Sequence, residues 1–184
     1  MGRFAYLVDS AEGIKSFRAQ YRISPGVSIR YCKEGEWHED RQEGGVVIPM
    51  IAFIEGGMRI PMGMITRDYL RTNKLAPTQY ALNMFRILGS VDAFNERMGL
   101  NLTHYDVNWV YNLQHLKGQG YYLKTRHPEV RLISCLPDSN KGMNKDFLII
   151  SGEWHDGLPC PMREGKLGRN LGLGLLHENH PFLP

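Results

Sequence analysis

Five acidic residues, Asp92, Asp106, Asp138, Asp146 and Glu153, stand in or beside the most patterned stretches of this 184-residue chain. Three carboxylates gathered on one scaffold could hold two metal ions that clamp the attacking and leaving oxygens of a phosphoryl transfer. Such a scaffold opens with consecutive strands, whereas here helical patterns precede the clearest strand patterns, and 19 acids offer many arbitrary triads. Zinc needs four ligands around one tetrahedron, and the near pairs Cys32/His38, His155/Cys160 and His177/His180 complete none. Cys135 with a histidine could act as a nucleophile in principle, yet it lies in an apolar run, where a thiol is ordinarily an inert small hydrophobe. Gly172 and Gly174 follow no strand pattern, so neither a phosphate loop nor a dinucleotide fingerprint is present. No catalytic residue, metal site or cofactor is expected.

Contact surfaces remain. The net charge of +3 is mild, and hydrophobic and charged fractions of 42% and 22% are ordinary globular values. Basic residues form the loose sets Arg67/Arg71/Lys74, Lys117/Lys124/Arg126/Arg131 and Arg163/Lys166/Arg169 instead of a phosphate-tracking stripe, and read first as solvated faces. Ser139-Asn-Lys-Gly-Met-Asn-Lys145 could present backbone N–H groups and two lysines to a phosphate, although a hairpin turn is the plainer reading. Nucleic-acid contact, RNA or DNA, would fall to Lys124, Arg126, Arg131, Lys141 and Lys145. Protein contact or self-association would fall to an aromatic surface of Trp37, Tyr121, Tyr122 and Trp154, with Trp109 placed in the core.

The elements that must position these residues read as an α+β fold: N-terminal strand pieces, a central cluster of about three helices, then a small antiparallel sheet. Residues 1–20 are expected to be loosely ordered, 21–155 to form the domain, and 156–184 to be an extended or disordered tail. Val27, Ile29 and Tyr31 alternate with small or charged residues after the turn signal Ser24-Pro25-Gly26. Pro49 makes Val46–Phe53 an edge strand or a helix start. A short amphipathic helix follows Pro61. Pro77 suits the start of a long one whose stripe, Tyr80, Met84, Ile87, Leu88, Val91, Phe94 and Met98, ends at Gly99. Thr103 and Asp106 are placed to cap a third helix reaching about Leu116, so the Asn101-Leu-Thr103 sequon reads as a helix start. Tyr121–Lys124, Val130–Leu136 and Phe147–Gly152 read as strands, the first two joined by Arg126-His-Pro128. This order also suggests a winged helix, but the Thr103–Leu116 segment carries no Lys or Arg and sets Asp106 toward the phosphates.

Cys32, Cys135 and Cys160 are far apart and odd in number, which fits reduced, mostly buried thiols. No run approaches the roughly 18 apolar residues of a membrane span, and the N-terminus lacks a secretory core, so an intracellular location in nucleus or cytoplasm is expected, without membrane contact.

One further signal lies in the order of segments. Phe53-Ile-Glu-Gly-Gly-Met-Arg-Ile-Pro61, Leu75-Ala-Pro-Thr-Gln79, Asn83-Met-Phe-Arg-Ile-Leu88, Tyr121-Tyr122-Leu123 and Leu136 to Trp154 follow one another as in the putative gypsy-type transposon domain of plants, which the chain resembles over roughly residues 25–155. The family's pattern has Trp after the Lys-Gly where this chain has Met143, so no role of that aromatic is carried over. The family carries transposase-like or gag-like labels. The resemblance implies a retroelement-derived interaction or assembly module, with nucleic-acid binding as the alternative and a metal-dependent nuclease as the outside one.

Overall fold

Pro49 closes one element and opens the next. Val46–Pro49 form β2, with Val46, Val47 and Ile48 fully buried, and Pro49 then stands at the N-cap of α2, Met50–Ile54. A proline has no N–H for a central ladder, and β2 is indeed an edge of the sheet β1-β5-β2, in which β1 is Val27–Tyr31 and β5 is Phe147–Gly152. Both pairings are antiparallel, with Ile29 opposite Ile150 and Ile48 opposite Leu148. The structure, a computed structural model, describes residues 2–33, 45–116, 120–134, 136 and 146–154.

The fold is α+β, as the patterns imply, but its chain order is folded back on itself. β5, the last described strand, lies between the two N-terminal strands. Val27, Ile29, Val46, Ile48, Leu148 and Ile150 present one sheet face to the main core, while Cys32, Val47, Phe147 and Ile149 form a smaller apolar cluster on the other.

Residues 1–20 are not the loose segment expected. After a 3-10 turn, Ala5–Leu7, Ser10 caps α1, Ala11–Gln20, by accepting from Gly13 N–H. Phe4, Val8 and Phe17 enter the main core, Phe17 meeting Phe53 edge to face at 5.8 Å. The buried Asp146 carboxylate accepts the Phe4 N–H at 3.0 Å and the Tyr31 hydroxyl at 2.8 Å, tying this segment to the sheet. A few apolar side chains suffice because tertiary packing supplies most helical stability.

The helical layer follows. α3, Met64–Asn73, packs on α4, Leu82–Met98, which Gly99 stops in the left-handed conformation (φ 63°). Pro77 starts only a 3-10 turn, Pro77–Gln79; Tyr80 is extended, and Ala81 N–H donates to Tyr121 O at 2.8 Å before α4 begins. The third helix is shorter than expected. α5 spans His104–Val110, and Tyr111–Leu116 form β3, paired with β4, Gly120–Thr125. Tyr111-Asn-Leu-Gln alternates apolar with polar, a period of two that a helix cannot bury on one side. Gly120 (φ 85°) lies so near the chain that an added Cβ would stand 2.5 Å from Gln79 O.

Val130–Leu136 form no strand among their described residues. The N–H groups of Leu132 and Ile133 donate to the Tyr111 hydroxyl, at 3.1 and 3.3 Å, so a side chain replaces a ladder there. Among the described residues no helix is long and apolar enough to cross a membrane.

Candidate interaction surface

A cleft of about 220 Å³ opens between the 57–63 segment and α4, lined by Met58, Arg59, Met62, Thr66, Asp92 and Glu96 among others. Its carboxylates are the obvious place to look for chemistry. Asp92 accepts from Ile65 N–H at 2.9 Å, Thr66 N–H at 3.3 Å and the Thr66 hydroxyl at 3.0 Å. It therefore caps the first turn of α3 from a different helix, where Gly63 at the N-cap has no side chain to do so. The approach needs that glycine, since a Cβ there would lie 2.1 Å from Asp92 Oδ2. Burial pushes the Asp92 carboxyl above its usual range, outweighing the three hydrogen bonds and the Arg67 charge. Glu96 is paired with Arg59 at 3.0 Å on the exposed rim. The cleft's acids thus have structural partners.

The other described acids of this set do not converge either. Asp106 accepts the N–H and the hydroxyl of Thr103, both at 2.7 Å, and these bonds hold its carboxyl below the usual range. Asp146 holds the N-terminal segment, and Asp138 lies outside the described residues. Among the described residues no three His, Cys, Asp or Glu side chains are close enough to hold a metal ion. Cys32 is buried beneath the sheet; Cys135 and Cys160 lie outside the described residues. Tyr80 is fully buried, and its hydroxyl has no hydrogen-bond partner among the described residues; desolvation raises that phenol well above its ordinary value.

The aromatic surface lies elsewhere than expected. Trp154 is fully buried in the main core, its carbonyl accepting the Met62 N–H at 3.2 Å, and Tyr121 is buried as well. Tyr122 is half-buried, donating to Gln114 Oε1 at 2.8 Å, and Trp37 lies outside the described residues. Trp109, assigned to the core from the sequence, is 83% exposed, and Tyr105, four residues earlier on α5, is 72% exposed. Residues four apart share a helix face, so the two rings form one aromatic ridge. The opposite side of α5 is anchored by buried Val107 and by Asn108, whose Oδ1 accepts the Tyr69 hydroxyl at 3.0 Å.

Three of the five expected basic residues are described, and all three are exposed beside this ridge or downstream of it. Lys124 is on β4 opposite Asn112. Arg126 donates from its backbone N–H to Val110 O at 2.9 Å and from Nε to Asn108 O at 2.8 Å, meeting the last-turn carbonyls of α5. Arg131 donates to Pro128 O at 3.0 Å, closing the exposed run 126–131 on itself. Lys141 and Lys145 lie outside the described residues. The signal for Trp109 was present: each helical residue advances about 100°, so a residue two beyond buried Val107 points the other way. Reading α5 as a longer, all-round apolar helix concealed it.

Comparison with family models, with curated proteins and with solved structures finds no match.

Proposed function

We propose that this chain works by contact rather than by catalysis, as an interaction or assembly module of retroelement origin. The lineage rests on the ordered segments that resemble the gypsy-type transposon domain. The mode of action rests on one observation, the exposed Tyr105–Trp109 ridge beside Arg126. Trp, Tyr and Arg are the residue types that carry most binding energy at protein surfaces. An 83% exposed Trp on a helix whose other side is firmly anchored gains nothing for folding and is available for a partner.

Analytical ultracentrifugation over a hundredfold range of concentration, with and without a polyanion, tests this reading. The expected result is an association, with itself or with the polyanion, that Trp109→Ala removes without lowering the unfolding midpoint. Association indifferent to Trp109 sinks it. So would metal-dependent strand cleavage that disappears in Asp146→Asn.

A further inference from the structure

Resting on that reading, we infer that the occupant of the α5 ridge is a single-stranded polynucleotide, with bases stacked on Tyr105 and Trp109 and phosphates met by Lys124, Arg126 and Arg131. A single strand offers unstacked π-faces and a continuous negative charge, and proteins that bind it without base readout pair protruding aromatic rings with nearby cations. Both halves of that pairing meet at the C-terminal end of α5. Tyr105 and Trp109 protrude one turn apart on α5, and residue 126, by its backbone bond to Val110 O, is level with the end of that helix.

Three further features favour this occupant. Tyr105 lies against His104 with ring centroids 4.1 Å apart and planes tilted by 36°, so the aromatic surface continues toward α3, where His104 Nε2 is 3.4 Å from the Thr72 hydroxyl. The guanidinium of Arg126 is held by Asn108 O and that of Arg131 by Pro128 O, which fixes both cations with their remaining donors available. The three cations outnumber the two acids on these segments, Asp106, which its bonds to Thr103 keep ionised, and Glu129 in the exposed run 126–131. A duplex fits less well, because its bases are already stacked on one another and α5 carries no Lys or Arg to enter a groove.

Fluorescence anisotropy with labelled oligouridylate and oligothymidylate of about twelve nucleotides, and a duplex of the same length, decides the matter at about 50 mM salt. The expected result is binding to the single strands, RNA or DNA, that weakens about tenfold in Trp109→Ala and again in Tyr105→Ala. Arg126→Ala should lower the slope of log affinity against log salt by about 0.7. Both aromatic positions are exposed, so an unchanged denaturation midpoint confirms that the variants fold. The inference is overturned by an absence of binding, by binding that ignores Trp109, or by a duplex bound as tightly as a single strand. If the oligonucleotides fail while self-association still depends on Trp109, this inference falls and the contact reading stands; if both fail, both fall.

Discussion

Among the described residues two helices have a carboxylate that accepts hydrogen bonds at the N-terminus, and the carboxylates come from different places. α5 is served by Asp106, three residues from its own N-cap Thr103, on the surface. α3 is served by Asp92, 27 residues from Ile65 and half-buried between helices. The local cap is a property of one turn of chain. The distant one holds two helices together, so it reports on tertiary structure and should matter more to it.

Removing the distant cap is the sharpest way to test that contrast. Asp92→Ala leaves two backbone N–H groups and a buried hydroxyl without their acceptor, and should cost about 2–3 kcal/mol in chemical denaturation. Gly63→Ala should cost somewhat less, about 1–2 kcal/mol, by forcing a Cβ against the same carboxylate. Because both changes break one contact, the double variant should lose clearly less than the sum. Asp106→Ala should cost about 1 kcal/mol or less, the ordinary value for an exposed cap. Equal losses at Asp92 and Asp106 would break the comparison.

Acid titration of stability should separate the two caps by sign. Burial raises the Asp92 carboxyl above 3.8, so the proton-linked part of its contribution is complete below that value and is lost as pH rises through its raised pKa, while its hydrogen bonds to α3 persist. Asp106 is depressed below 3.8 by its bonds to Thr103, so its contribution is present above that value and is lost as pH falls through its lowered pKa. Urea unfolding between about pH 2 and 6 should therefore show Asp92→Asn flattening the upper part of the profile and Asp106→Asn the lower part. Profiles changed in the same window by both variants would remove the distinction. The smallest expected effect is at Trp109→Ala, whose stability should stay within about 0.5 kcal/mol of the parent chain while the proposed binding weakens.

The legible parts of this protein are those whose causes lie within a turn of chain. Gly99 stops α4, Pro49 divides strand from helix, and Thr103 with Asp106 opens α5. The length of α5 was misread where aromatic and β-branched residues suit helix and strand alike, and alternation from Tyr111 onward decides for the strand. The candidate surface was half legible. Its basic residues were named, but its aromatic members were exchanged: Trp154 is covered by the core and Trp109 is not. Trp109 stands beside Val107, Val110 and Tyr111 and Trp154 between Glu153 and His155, so local sequence points the wrong way for both, and which one is covered depends on elements tens of residues away.

The amino-acid sequence alone determined the α+β class and the punctuation of the elements, because propensities, caps and turns act between residues three or four apart. Only the tertiary structure decided that β5 divides β1 from β2, that Asp92 serves α3, and that Tyr105 and Trp109 face outward. Burial is settled by whatever chain returns to cover a face, and pairings such as Phe4 with Asp146 span 142 residues, beyond the reach of any local pattern.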